Sequence, residues 1–158
     1  MKKHLVWAGV LGFTGSLQAH HNSGMFNTTS PIRVEGFIAE VKFANPHSFI
    51  FIDVVDSGGQ RVRWAVENSG TLWMTRQRGF DEESLQPGDP IRVCGYAPKR
   101  PYSTVEELAD RGIERPAPWW GNWDRVITGR LLILKSGPAE HWSHYGPLDA
   151  CQALLESE

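Results

Sequence analysis

The order of strand-like and helical segments constrains this fold more than any other feature of the sequence. Five segments have the apolar, β-branched composition of β-strands, namely residues 33–43, 48–55, 61–67, 91–96 and 125–135. Between the third and the fourth lies a helical stretch, residues 71–78, that ends at Gly79. Three strands, a helix and two strands is the order of a small barrel of the OB type. The sequence therefore predicts a mainly β protein with a five-stranded OB-like barrel.

Local signals refine these elements. The alternation of the third strand predicts three core-facing side chains: Val62, Trp64 and Val66. Gly36 indicates a bend or bulge in the first strand, which follows a polar lead-in of residues 20–31. Asn68 or Ser69 is the predicted N-cap of the helix, since their short polar side chains can accept a bond from its first free amides.

Two segments fall outside the barrel pattern: an insertion, residues 97–124, and a C-terminal tail, residues 137–158. The insertion precedes the fifth strand and carries three tryptophans within five residues: Trp119, Trp120 and Trp123. They would either plug the open end of the barrel as a lid or form a stacking platform for a ring-shaped ligand or a sugar. The tail is predicted to contain a final helix, residues 148–155, that packs back on the barrel.

The first 19 residues have the three-part layout of a cleavable secretory signal. A basic head precedes a nine-residue apolar run, residues 5–13, and a small polar segment that ends at Ala19. The run is shorter than the roughly 20 residues that a membrane anchor needs. The alternative, an N-terminal helix that stays in the fold, should show a polar face. We therefore expect cleavage after Ala19, no membrane anchor, and a single domain of residues 20–158 in the periplasm or the medium.

Charge and cysteine usage fit an exported binding protein. Without its leader the chain has 14 basic and 18 acidic side chains, a formal charge of −4. An acidic chain without a basic stripe argues against nucleic acid or an anionic membrane as partner.

Cys94 and Cys151 are the only cysteines, and an oxidising compartment favours a disulfide between them over two free thiols or a metal ligand. No GxSxG, HExxH or CxxC motif is present, so an enzyme has little support.

Cleavage after Ala19 would leave His20 as the first residue of the mature chain. Its amine and its ring nitrogen can together chelate one metal ion, and ligation by nitrogen alone suits copper(II). His47, in the turn between the first two strands, is the best further ligand, and His21 and Met25 are lesser candidates. The alternative is that His20 and His21 form a flexible polar leader and that His47 only bonds the backbone.

His141 and His144 form a second, weaker candidate pair for a metal such as zinc. On a helix they would share one face, because they are three residues apart. Trp142 and the Gly146-Pro147 pair favour an irregular segment instead. No obvious third ligand accompanies the two histidines unless His20 or His47 joins them.

Several motifs together resemble a family of small exported bacterial proteins of unknown function. They are the leader running into Ala19-His20-His21-Asn22-Ser23, then Val34-Glu35-Gly36, Asn45-Pro46-His47-Ser48, Trp64, Arg78-Gly79 and Leu85-Gln86-Pro87-Gly88-Asp89. The resemblance covers residues 20–97 and the last strand, whereas the insertion and the tail are longer than the family's usual core. It implies an exported location and this architecture, and it supplies no activity.

These observations lead to three hypotheses of function. The first is an exported binding or accessory protein that holds copper through His20 and His47. The second is an adaptor for a small ligand or a periplasmic protein partner, without metal, that uses the tryptophans of the insertion. The third is a subunit of an enzyme whose chemistry lies in a partner chain.

Overall fold

The structure is a computed structural model and describes residues 25–99 and 125–157. Along these residues the elements are β1 (Phe26–Lys42), β2 (Phe49–Val55), β3 (Arg61–Glu67), α1 (Leu72–Gln77), β4 (Pro90–Pro98), β5 (Val126–Leu134), β6 (Ala139–His141) and α2 (Leu148–Glu156). The predicted order of three strands, a helix and two strands is confirmed. β6 is an addition that the sequence analysis did not predict.

The first five strands form a closed barrel. β1 pairs antiparallel with β2 on one side and with β4 on the other. β2 in turn pairs antiparallel with β3, and β4 pairs antiparallel with β5. Residues 65–67 of β3 then pair in parallel with residues 126–128 of β5. That last pairing closes the sheet in the strand order of an OB-like barrel, as predicted. β6 pairs with residues 131–133 of β5 outside this circuit.

β1 is longer than the sequence indicated. It begins at Phe26, which pairs with Pro98, so the expected polar lead-in is wrong for residues 26–31. These residues carry no apolar alternation because most of them are exposed or half-buried, which hides the strand from a pattern search. The register of β1 shifts between Phe26 and Pro31 and between Ile38 and Glu40 rather than at Gly36. Gly36 instead allows the backbones of β1 and β2 to approach each other closely, since a Cβ at this position would lie 2.2 Å from the backbone oxygen of Asp53.

The predicted cap of α1 is also wrong. Thr71 is the N-cap, and its side-chain oxygen accepts from the amide of Met74 at 3.4 Å. Asn68 is fully buried and uses its side-chain amide to bond Thr75 and the carbonyl of Trp142. A long-range contact of this kind cannot be read from the local spacing. The helix ends before Gly79, as predicted, where φ is +85°.

The barrel interior is filled by aliphatic side chains from all five strands and by two aromatic residues from outside them. Trp142 of the tail is fully buried there, and its ring packs edge-on against that of Phe80 at 5.2 Å between centroids. Val66 lies in this core and the half-buried Trp64 packs against it, both as predicted, whereas Val62 is only half-buried. The opposite face of the sheet carries a separate buried cluster of Phe49, Phe51, Ala65 and Val126.

α2 packs on the outside of the barrel over β1, β4 and β5. The predicted disulfide, Cys94 to Cys151, is confirmed and joins β4 to this helix. Both sulfurs are buried in an apolar cluster with Tyr96, Leu131 and Leu155. The described residues contain no free cysteine, so the alternative of two thiols is wrong.

Several predictions fall on residues outside the described ranges. They are the signal peptide (residues 1–19), His20, His21, and the tryptophans Trp119, Trp120 and Trp123. The lid and the stacking platform therefore both stay predictions. Among residues 25–99 and 125–157, no helix has the length and apolar character to span a membrane.

Candidate functional site

The Asn-Pro-His-Ser motif forms the connection between β1 and β2, and its polar side chains have different tasks. The side-chain oxygen of Asn45 accepts from the amide of Leu72, the first residue of α1, at 3.0 Å. Ser48 is fully buried, and its hydroxyl bonds the amide and the carbonyl of Ala44 at 3.3 and 3.4 Å. His47 reaches another side chain, the carboxylate of Glu67. Asn45 and Ser48 therefore shape the turn that presents His47.

The β2–β3 ladder sets the His47–Glu67 contact. Phe49 is the register partner of Glu67, and the amide of Asn68 donates to the carbonyl of Ser48 at 2.8 Å. This backbone pairing places the end of β3 against the residue before Ser48. Nδ1 of His47 contacts Oε1 of Glu67, and the two side chains are 21% and 15% exposed. The pair thus lies in the rim of the barrel, partly accessible from solvent.

A carboxylate on one imidazole nitrogen orients the ring and directs metal binding to the other. Histidines that hold metals almost always bond a carboxylate or carbonyl through the second ring nitrogen, which fixes the tautomer and raises ligand basicity. Because Nδ1 of His47 engages Glu67, a coordination role falls to Nε2. Ser48 cannot serve as a nucleophile for this histidine, since its hydroxyl is buried and bonds Ala44. The arrangement suits a positioned ligand better than an acyl-transfer site.

The other candidate ligands are only partly within the described residues. Met25 is 44% exposed at the start of β1, and its carbonyl accepts from the amide of Lys99 at 2.7 Å. His47 follows the other end of β1, so the two candidates lie at opposite ends of that strand in the chain. Residues 25–99 and 125–157 contain no group of three or more histidine, cysteine or acidic side chains that could hold a metal. Any centre at His47 therefore needs a further donor.

The second candidate pair lies in a cationic environment. His141 ends β6 and His144 follows in an irregular segment, as the glycine-proline pair indicated. Nδ1 of His141 bonds Nη1 of Arg130 at 2.9 Å. Burial, together with the charges of Arg130 and Arg78, lowers the pKa of both histidines. Two nearby arginines repel a metal cation, so this pair is a poor zinc site.

One comparison with known proteins gives a result. A family model, DUF6152, described as a family of unknown function, matches residues 9–105, which is more than half of the 158-residue chain. The chain belongs to the DUF6152 family. The match includes His20, His21 and the turn with His47, whereas β5, which the sequence resemblance had included, lies beyond it. Neither a curated protein nor a solved structure matches the chain.

Sequence reasoning identified His47 in this DUF6152 chain but missed the residues that surround the two histidine sites. Glu67 is the last residue of a correctly predicted strand, and a hairpin register would have placed it beside the turn with His47. Arg130 stands in the middle of an apolar strand, RVITGRLLILK, which is itself unusual for a charged residue. Arg78 belongs to the Arg78-Gly79 motif of the family resemblance, but that motif did not indicate a position beside Arg130.

Proposed function

We propose that this DUF6152 protein is exported and binds copper through the amine and imidazole of His20, with His47 as a further ligand. The contact between Nδ1 of His47 and Glu67 is the observation that carries the proposal, because it gives this ring the orientation of a supported metal ligand. The protein then serves as a copper-binding or accessory protein outside the cytoplasm.

Ligand chemistry supports copper over other metals. An N-terminal histidine offers two nitrogens from one residue, and His47 would add a third. Copper(II) favours such nitrogen-rich, tetragonal ligand sets, while a thioether such as that of Met25 would suit copper(I). The Cys94–Cys151 disulfide agrees with an oxidising compartment, where signal cleavage would expose the amine of His20.

Blocking the α-amine of His20 should sharply weaken copper binding. In the processed protein, acetylation at about pH 6.5 can be directed to the α-amine, because its pKa is lower than that of the lysine side chains, which remain protonated. Two tethered donors bind about 10²–10⁴-fold better than one, so we expect copper(II) affinity to fall by at least about 100-fold. Competition titration against a chelator of known affinity measures this change.

The role of His47 is tested in parallel by His47→Ala. We expect this substitution to weaken copper binding and to remove one nitrogen coupling from the copper(II) electron paramagnetic resonance spectrum. His144→Ala is the matched control, because it deletes an exposed histidine of the second candidate pair, His141 and His144. If acetylated and free-amine proteins bind copper equally well, or if the two alanine variants behave alike, the proposed ligand set is wrong.

Glu67→Gln should weaken copper binding without unfolding the protein. Glutamine keeps the shape of the side chain but removes the carboxylate that orients His47, and loss of such a partner typically costs about 10–100-fold in metal affinity. Glu82→Gln, at a carboxylate 69% exposed, is the control. Affinity and the thermal midpoint of the metal-free protein are measured together. An affinity loss seen equally in Glu82→Gln would refute a specific role for Glu67.

A further inference from the structure

Four basic side chains converge where the C-terminal tail crosses the barrel. Arg78 follows α1, and Arg130 lies in β5. His141 is the last residue of β6, and His144 lies in the stretch between β6 and α2. Nη1 of Arg78 donates to the carbonyl of Trp142 at 3.1 Å. Nη1 of Arg130 donates to the next carbonyl, that of Ser143, at 2.5 Å, and bonds Nδ1 of His141 at 2.9 Å. Consecutive carbonyls thus hold the two guanidinium groups beside the two imidazoles.

The positive charge of this cluster is not neutralised by any carboxylate of the described residues. Arg130 is only 8% exposed, and Arg78 is half-buried. In residues 25–99 and 125–157, the arginine and lysine ion pairs are made instead by Arg33, Lys42, Arg63, Arg76 and Lys135. Burial of a charge without a counter-charge is costly, and proteins usually pair it.

The charge of Arg130 also acts on Arg78. Burial lowers the pKa of Arg78, and the charge of Arg130 lowers it further. Burial likewise lowers the pKa of Arg130. An anion between the two guanidinium groups would relieve both effects.

The cluster presents hydrogen-bond donors that have no acceptor among the described residues. Nε and Nη1 of Arg130 bond Gly146, His141 and Ser143, which leaves the two N–H groups of Nη2. The guanidinium of Arg78 uses one of its five N–H groups, for the carbonyl of Trp142. Because Nδ1 of His141 accepts from Arg130, its proton lies on Nε2, which can donate. A site of donors around two positive charges matches an oxyanion.

We propose that Arg78, Arg130, His141 and His144 bind a doubly charged tetrahedral oxyanion of the phosphate class. Two guanidinium charges match a dianion, and planar guanidinium groups bind paired oxygens through parallel N–H donors. The anion is either inorganic phosphate or the terminal phosphate of a phosphomonoester, since both present the same oxygens. None of these four residues is among the proposed copper ligands, and the proposal does not depend on copper binding.

Phosphate titration of the processed, metal-free protein tests this site. Nitrogen-15 NMR spectra follow the amides of residues 141–146 and the two imidazoles during titration with inorganic phosphate, and in a second arm with glycerol phosphate, each against chloride of equal ionic strength. We expect saturable shifts confined to this cluster in at least one arm. Shifts that do not saturate in either arm, or that chloride reproduces, would overturn the proposal.

Arg78→Gln gives the matched test by substitution. Hydrogen bonds to charged groups are strong, so we expect phosphate affinity to fall about 10-fold or more. Arg61→Gln makes the same change of charge at an exposed position of β3 and should leave affinity within about 2-fold, because surface charges are largely screened. Thermal unfolding confirms that both variants are folded. Equal affinities of the two variants would show that Arg78 binds no anion.

Discussion

Replacing Trp142 by alanine will lower the free energy of unfolding by about 3–5 kcal/mol, the usual cost of deleting a large buried aromatic side chain. Trp142 is fully buried inside the barrel, where its ring meets Phe80. The substitution would leave a cavity between strands whose positions are fixed by sheet pairing. Because these strands cannot move far into the cavity, little of the lost packing energy would be recovered. Reversible urea unfolding followed by circular dichroism measures the loss.

The matched control for this prediction is Trp73→Ala. Trp73 is 68% exposed on α1, and an exposed substitution of this kind changes stability by about 0.5 kcal/mol or less. Trp142→Phe should lie between the two, because it keeps an aromatic ring and removes an indole N–H that has no hydrogen-bond partner among the described residues. Equal losses for Trp142→Ala and Trp73→Ala would mean that the tail does not fill the barrel.

Removing the disulfide should cost about 4 kcal/mol in the chain-entropy account, since the bridge closes a long loop in the unfolded chain. The two cysteines are 57 residues apart in sequence. In the double variant Cys94→Ala/Cys151→Ala, α2 loses its covalent link to β4. Urea unfolding measures the loss, and hydrogen exchange should show the greatest increase in the amides of α2.

Chemical reduction provides an independent control. A strong reductant should lower the stability of the wild-type protein to near that of the double variant, and it should leave the double variant unchanged. If reduction does not shift the unfolding midpoint of the wild-type protein, the bridge contributes nothing to stability and the prediction is wrong.

The barrel was predictable because its strands carry local signals. The apolar residues of β2 and the alternation of β3 are each visible within seven residues, and Gly79 marks the end of α1. The disulfide followed from having only two cysteines in a chain with a predicted secretory leader. These features depend on neighbours in sequence or on composition, which a single sequence contains.

What sequence reasoning missed depends on distant contacts. Trp142 fills the barrel from a tail with no periodic pattern, and Asn68 bonds the carbonyl of that tryptophan 74 residues away instead of capping α1. At the candidate site, the motif identified His47, but its partner Glu67 required the β2–β3 register. The arginine cluster required the path of the tail across Arg78 and Arg130, which no local spacing reveals.

The central claim is that a histidine exposed by export binds copper with His47. Intact-mass measurement and copper analysis of protein purified from the periplasm of a copper-supplied host test this claim most directly. We expect a mass that lacks residues 1–19, with one copper ion per chain in the wild-type protein and a lower copper content in His47→Ala. A chain that keeps its leader, or a correctly processed chain that holds no copper, would contradict it.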